Sequence, residues 1–172
     1  MKTPLRLTFA ILICCLSLSS CFGGKTPDIP ISYQGVSFDY PSYWKAETED
    51  LGDDSYYIGA EEKFSSGTLF LVQFTEGDRD QEAVIGDFFE SLDESGFDVT
   101  TEPIQVDKFG KYDCKYVRYK ITKALEKAYG IVYSFDAEGR SFRIVKQSEK
   151  EYDLKHEKYK IMENSFDVEA AQ

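Results

Sequence analysis

The chain has 172 residues, and its 31 acidic against 20 basic residues give a formal net charge of −11 at pH 7. That charge disfavours binding to nucleic acid and to the anionic faces of membranes, because both depend on Lys and Arg near phosphate groups. The length suits one domain with a sizeable core. We therefore expect a single acidic domain that is monomeric and does not bind nucleic acid.

The first 20 residues have the layout of an export signal. Lys2 and Arg6 precede a mostly apolar run of twelve residues, and small residues then lead to Cys21. The run is shorter than the roughly 20 residues that a membrane-spanning helix needs. A cut before Cys21 places Leu18 at −3, where an ordinary signal peptidase requires a small residue. We therefore predict a lipoprotein signal peptide over residues 1–20 and a membrane anchor of lipid on Cys21.

A tether and one domain follow the predicted cleavage site. Residues 21–30 contain two glycines and two prolines without apolar periodicity, which predicts a flexible tether about 15–18 Å long. Residues 31–168 form the predicted domain, and residues 169–172 form a short tail. The mature chain has 18 basic and 31 acidic residues, a net charge of −13.

Short alternating segments predict strands from Ile31 onward. The segment from Val36 to Tyr40 alternates apolar and polar residues, and Pro41 closes it because proline has no backbone N–H. Residues 67–75 are apolar on both faces, which is typical of a central strand covered on each side. Further extended segments are predicted at Trp44–Asp50, Ser55–Glu62 and Phe97–Val106, and three long strands between residues 111 and 147.

An amphipathic helix follows the covered strand. Asp78 can cap its start, with Gln81 three residues later as in a capping box, and Gly96 is a suitable stop. Its apolar stripe consists of Val84, Ile85, Phe88, Phe89 and Leu92. We expect this stripe to pack on a sheet.

The later strands have a phase change and a clear hairpin. Bulky residues change from even to odd positions near Tyr116, which predicts a bulge or a sharp bend there. A hairpin in which Phe135 faces Arg140 fixes a register with apolar pairs on one face. Those predicted pairs are Tyr133 with Phe142 and Ile131 with Ile144.

The last predicted element is a second helix that begins at Ser148, with Glu151 completing a capping box. Its apolar stripe consists of Tyr152, Tyr159, Met162 and Phe166. The element order predicts an α+β fold in which two main helices pack on a mostly antiparallel β-sheet.

The segment VSFDYPSYW, from Val36 to Trp44, resembles the opening signature of the PsbP-like family, in which a strand ending in Tyr-Pro precedes a short turn and Trp. The element order over residues 31–168 resembles that family too. The resemblance implies a non-catalytic α/β/α sandwich whose members contact other proteins. It supplies no catalytic residues, and it implies packing roles for Tyr40, Pro41 and Trp44.

The side chains that could carry chemistry are few. With Cys21 acylated and the signal removed, Cys114 is the one remaining thiol, so we expect a buried apolar residue and no disulfide within the domain. His156 is the only histidine, and no Gly-x-Ser-x-Gly turn presents a nucleophile. We predict no cofactor and no metal. A calcium site in the loop that holds Glu49, Asp50, Asp53 and Asp54 stays a minor alternative.

Acidic residues suggest where a partner would bind. Asp87, Glu90, Asp93 and Glu94 lie on the first helix without a basic residue after Arg79, which opposes the helix dipole. Either tertiary packing tolerates them or a basic surface docks there. The residue after the acylated cysteine is Phe22 in place of aspartate, which resembles the pattern of lipoproteins that are sorted to the outer membrane.

The sequence thus predicts a lipid-anchored binding or accessory module of the cell envelope. We expect it at the outer membrane, facing the periplasm, in contact with an envelope protein or a cationic ligand through its acidic surface. The alternative is a small carboxylate-dependent hydrolase or a calcium-dependent carbohydrate binder.

Overall fold

The structure is a computed structural model that describes residues 28–63 and 67–170. It has the predicted α+β architecture. Its helices are α1 (Gln81–Glu94) and α2 (Glu157–Ser165), and a short 3-10 helix (Glu151–Lys155) precedes α2. Its strands are β1 (Asp28–Tyr33), β2 (Val36–Pro41), β3 (Trp44–Gly52), β4 (Ser55–Glu62), β5 (Leu69–Glu76), β6 (Asp98–Thr101), β7 (Gln105–Phe109), β8 (Tyr112–Lys123), β9 (Glu126–Ala137), β10 (Arg140–Ser148) and β11 (Asp167–Val168).

The main sheet is antiparallel, with the order β3-β4-β5-β10-β9-β8-β6, and β7 pairs with the other part of β8. Strand β5 lies between β4 and β10, which explains its apolar residues on both faces. Phe70 and Val72 are fully buried on one face, whereas Leu69 and Leu71 lie half-buried on the other. The prediction of a central strand is confirmed, but only one of its faces is fully covered.

An aromatic core fills the first face of the main sheet, under α2 and a small sheet of the order β1-β2-β11. The Phe135 ring stacks on Phe142 at 5.1 Å between centroids and on Tyr112 at 5.0 Å. Phe166, just after α2, packs edge-on against Phe135 at 6.0 Å. Trp44 is buried edge-on against Tyr159, with ring centroids 5.8 Å apart. This face is therefore closed by rings that interlock in offset and edge-on arrangements.

Helix α1 covers part of the opposite face. Its side chains Ile85 and Phe88 pack with Val132 and Val145 of the sheet. Its N-cap is Asp80, which accepts a hydrogen bond from the Glu82 amide at 2.9 Å, so the cap predicted at Asp78 is two residues too early.

The predicted stop of α1 at Gly96 is confirmed. Gly96 adopts φ +77°, a left-handed conformation that costs glycine little. The Gly96 and Phe97 amides donate to the Asp93 and Leu92 carbonyls at 2.8 and 3.1 Å, the paired bonds of a Schellman cap. In the described residues, neither helix is long and apolar enough to cross a membrane.

The β9–β10 hairpin has a different register from the predicted one. Glu138 and Gly139 form a two-residue turn, with φ of +52° and +73°. Phe142 therefore lies opposite Phe135 instead of Tyr133. The shift is two residues, so every side chain keeps its face, and the left-handed turn matches the twist of the two strands.

The bulge predicted near Tyr116 is absent. The pairing of β8 with β9 runs without interruption from Lys115 to Lys123. The bulky residues change face because the first half of β8 belongs to the aromatic core, through Cys114, and the second half lies under α1, through Tyr119.

The predicted C-terminal helix is divided in two. His156 separates the 3-10 helix from α2 and caps α2, because its Nδ1 accepts a hydrogen bond from the Lys158 amide at 3.3 Å. Tyr152 is 70% exposed and does not belong to the stripe, whereas Tyr159 and Met162 are fully buried as predicted. The predicted capping box of Ser148 and Glu151 is also absent, since the Ser148 hydroxyl donates a hydrogen bond to the Asp153 carboxylate at 3.3 Å instead.

Both ends of the domain are held by one buried side chain. Arg140 is 3% exposed, and its guanidinium donates to the carbonyls of Gln34, in the β1–β2 turn, at 2.6 Å and of Glu169 at 2.5 Å. The same group lies 5.8 Å from the centroid of Phe74. Strand β1 begins at Asp28, three residues before the predicted domain boundary, so the predicted tether is shorter than 21–30.

We expect Arg140→Ala to lower the free energy of unfolding by about 3 kcal/mol, because a buried side chain and its two charge-assisted hydrogen bonds to backbone carbonyls are lost. Urea denaturation gives the value. Arg79→Ala, which removes an exposed arginine, is the matched control and should cost less than about 1 kcal/mol. Equal effects of the two substitutions would show that the Arg140 contacts do not hold the fold.

We also expect Gly130→Ala to destabilise the domain by about 1–3 kcal/mol, because a methyl group there needs a buried ring to move. A Cβ at Gly130 would lie 2.2 Å from Cζ of Tyr119. The control is Gly86→Ala in α1, where nothing lies within 4 Å and where alanine should add about 0.5–1 kcal/mol. In thermal melts, the melting temperature should fall for Gly130→Ala and rise for Gly86→Ala. A melting temperature for Gly130→Ala at or above that of the parent chain would contradict the prediction.

Candidate functional site

Half of the second sheet face is open. Helix α1 packs mainly on β6, β8, β9 and β10. On the same face, β3, β4 and β5 present the half-buried side chains of Tyr57, Leu69 and Leu71. A shallow depression of about 150 Å³ lies among them. We call the surface formed by Tyr57, Leu69, Leu71, Glu47 and Glu49 the open face.

The strand register sets the layout of the open face. Glu49 lies opposite Tyr57, which lies opposite Gln73. One row further, Glu47 lies opposite Gly59, which lies opposite Leu71. Residues in one row point to the same side of a sheet. Acidic side chains therefore occupy the β3 edge, and apolar side chains lie toward α1.

A glycine makes room for the apolar floor. A Cβ at Gly59 would lie 2.2 Å from the hydroxyl oxygen of Tyr57, so the Tyr57 ring lies flat over the backbone of Gly59. Burial raises the pKa of the Tyr57 phenol, and the negative charges of Glu47, Glu61 and Glu49 add to that shift. The phenol therefore stays neutral and acts as an apolar surface with a polar edge.

The two edge carboxylates are available. Among the described residues, neither Glu47 nor Glu49 forms an ion pair within 4 Å, whereas the neighbouring Glu61 is paired with Lys45. Both edge carboxylates belong to an exposed stretch of β3. The β3 edge thus offers two carboxylates without a direct ion pair beside an apolar floor, and the Lys45 ammonium, which is paired with Glu61, lies at one end of the same edge.

The acidic residues predicted on α1 have two different environments. Asp87 is paired with Arg79, with Nη2 and Oδ2 2.9 Å apart, so it is not the free acid that we expected. Glu90, Asp93 and Glu94 are exposed.

One edge of α1 borders the open face. Burial lowers the pKa of the Arg143 guanidinium, and the nearby Asp87 carboxylate opposes that shift. Arg143 in turn donates to the side chain of Gln73 on β5. Glu94, two turns after Asp87, shares its edge of the helix. The α1 side of the open face therefore carries both charges, because Asp87 lies with Arg79 and Arg143 and only Glu94 adds a further acid.

The chain itself compensates the acidic C-terminus of α1. Lys123 of β8 donates from Nζ to the carbonyl of Ser95 at 2.9 Å. A cation at that position complements the helix dipole, which the acids of the last turn oppose. Of the two explanations that the sequence left open, tertiary packing therefore suffices for the helix.

The reactive side chains have structural surroundings. Burial raises the pKa of the Cys114 thiol to about 11, and its Sγ lies 3.4 Å from the Asp107 carbonyl. His156 caps α2. Within the described residues, no three of His, Cys, Asp and Glu are grouped so that they could hold a metal ion. Asp50, in the loop considered for calcium, accepts from the Gly52 amide at 2.9 Å. Cys21 lies outside the described residues.

No protein-family model and no curated protein matches this sequence. Solved structures do match its fold. The solution structure of cyanobacterial PsbP (CyanoP) from Synechocystis sp. PCC 6803 matches with a TM-score of 0.62 and 13% identity, over 89% of this chain and 99% of that one. A crystal structure from Bacteroides thetaiotaomicron VPI-5482 matches with a TM-score of 0.55 and 15% identity, over 85% of this chain and 49% of that one. The chain therefore has a PsbP-like fold, as the Tyr-Pro-x-x-Trp signature indicated.

Proposed function

We propose that the chain is a lipid-anchored binding module of the cell envelope and that it holds a basic, amphipathic helix of a partner protein on its open face. The observation that carries the proposal is the apolar floor of Tyr57, Leu69 and Leu71 with Glu47 and Glu49 at its outer edge. An apolar floor favours burial, and a rim on which carboxylates outnumber the single ammonium of Lys45 favours a partner of positive charge.

The width of the open face supports a helix as the occupant. Three strands span about 10 Å between the outer two, which matches the diameter of one α-helix with its side chains. Helix α1 already occupies the neighbouring strands of the same face. A partner helix would therefore lie beside α1 and complete the layer, with basic residues against Glu47 and Glu49 of β3.

The anchor rests on the lipoprotein signal and Cys21. Seven peptide units separate Cys21 from Asp28, where the described fold begins, which limits the distance to about 25 Å. The module would then act close to its membrane, and we place it at the outer membrane, facing the periplasm. No observation on the described residues favours the carboxylate-dependent hydrolase or the calcium-dependent carbohydrate binder, so both stay hypotheses from the sequence.

We expect Glu47→Lys with Glu49→Lys to weaken partner binding roughly tenfold or more, because two attractive charges become repulsive. The partner is first identified by photocrosslinking in the native envelope from an analogue placed at Leu71. Binding of the purified pair is then measured by titration calorimetry at low and high salt.

The matched control is Asp98→Lys with Glu102→Lys. It changes the net charge equally at β6, the opposite edge of the sheet, and it should leave affinity unchanged. The crosslinked segment of the partner should be a basic amphipathic helix. A partner that tolerates the reversal at β3, or that crosslinks through an acidic segment, would refute the proposed function.

A further inference from the structure

The chain enters the domain at one end of the main sheet. Asp28 pairs with Pro41 at the open end of the β1–β2 hairpin, and β3 begins three residues later at Trp44. The point of attachment to the tether is therefore the end where β3 begins and β4 ends.

The β8–β9 hairpin extends past this end of the sheet. Strand β10 ends at Ser148, opposite Tyr129 of β9. The pairing of β8 with β9 continues for three more residues, to Lys123 and Glu126, which is about 10 Å. At the apex, Leu125 is 101% exposed, so it makes no contribution to the core.

The base of this hairpin is apolar and surrounded by ammonium groups. A cavity of about 650 Å³ lies between the hairpin and the end of α1, and Phe97 and Ile121 contribute to its wall. Lys123, Lys127 and Lys150 line it together with two acidic residues, Glu126 and Glu149. The lining of the cavity thus has an excess of one positive charge, in a mature chain whose net charge is −13, and this excess is confined to the lining because Asp93 and Glu94 end α1 beside it.

The tether restricts which surface meets the bilayer. It allows at most about 25 Å between Cys21 and Asp28, whereas a domain of this length is roughly 35–40 Å across. A surface at the Asp28 end can reach the bilayer, and the far end can do so only if the domain lies on its side. Anchoring also raises the effective concentration of that surface at the membrane, so a weak contact suffices.

We propose that the hairpin end, defined by Lys123, Leu125, Lys127 and Lys150, is a membrane-contact surface of the anchored chain. Leu125 inserts at the interface of the bilayer that holds the Cys21 lipid. The three lysines lie at the phosphate groups of anionic phospholipids, with their methylene stems against the apolar base. This inference rests on the lipid anchor of the proposed function and is independent of the partner.

The test uses the mature chain coupled through the Cys21 thiol to a maleimide lipid, so that it does not depend on acylation in cells. The vesicles contain phosphatidylethanolamine, phosphatidylglycerol and a phospholipid with brominated acyl chains. Leu125→Trp reports contact, because bromine quenches a nearby indole. The native Trp44 is buried and gives a constant background. The matched control is Val106→Trp, an exposed apolar position on β7 at the other end of β8.

We expect quenching of the indole at position 125 and none at position 106. Equal quenching at both positions, or none at either, would overturn the proposal. Since the anchor is supplied chemically, that result would leave the lipoprotein prediction intact, and absence of lipid on Cys21 in cells would not affect this measurement.

Charge is tested on the unanchored chain with Cys21→Ser and Leu125→Trp. Each of Lys127→Glu and Lys150→Glu should lower its partitioning onto phosphatidylglycerol vesicles about fivefold or more, and added salt should do the same. Circular dichroism checks that both variants fold. Binding of a soluble short-chain phosphatidylglycerol without quenching by brominated vesicles would assign the cavity to a free lipid and overturn membrane contact.

Discussion

The main sheet is much wider than the single helix α1, and this difference in width determines how the second face of the domain is covered. Six strand spacings from β3 to β6 make the main sheet about 29 Å wide, and a single helix covers about 10 Å of it. On the first face, α2 and the small sheet together close the aromatic core. On the second face, α1 alone is present and it lies toward β8 and β9. The apolar residues Leu69 and Leu71 of β5 are therefore half-buried, and the strand edge beyond them has acidic side chains that keep it soluble and unpaired.

Arg140 shows how the small sheet is joined to the large one. A guanidinium in a core needs hydrogen-bond partners for its donors, and here backbone carbonyls in place of a carboxylate accept from Nη1 and Nη2, whereas no atom of the described residues accepts from Nε. Gly35, beside that turn, has φ +72°, and a Cβ there would lie 3.4 Å from Nη2 of Arg140. The turn, the guanidinium and the C-terminal strand therefore require one another. The open face and the hairpin end lie on the large sheet and do not depend on this contact for their geometry.

The sequence predicts those features that depend on local patterns. The period of the α1 stripe, the Gly96 stop and the central strand β5 are examples, because each is decided by neighbours within a few residues. The register of the β9–β10 hairpin is not decided locally. A slip of two residues leaves Phe135 and Phe142 on the same face, so the apolar pattern cannot distinguish the two registers. The break at His156 is also hidden, because Tyr152 and Tyr159 have the spacing of one continuous helix.

The same limit applies to the candidate site. The sequence identifies the acidic residues of α1 but not their partners. Asp87 is paired with Arg79, which precedes the helix, and the C-terminus of α1 is compensated by Lys123 of β8. To predict the open face from the sequence, one would have to know which strands α1 covers. One signal was present: Leu69 and Leu71 form a second apolar row on β5, and α1 has too few apolar positions to cover every such row.

The direction of the β1–β2 hairpin gives the domain a mechanical property. In the anchored chain that we propose, tension from the membrane would reach the fold at Asp28, where the two strands are open, so the pairs of β1 with β2 would separate one after another instead of all at once. The separation would proceed as far as Tyr33 and halt at Gln34, which the buried guanidinium holds. Six residues would be released, about 20 Å of slack, and the rest of the domain would stay folded while the envelope stretches.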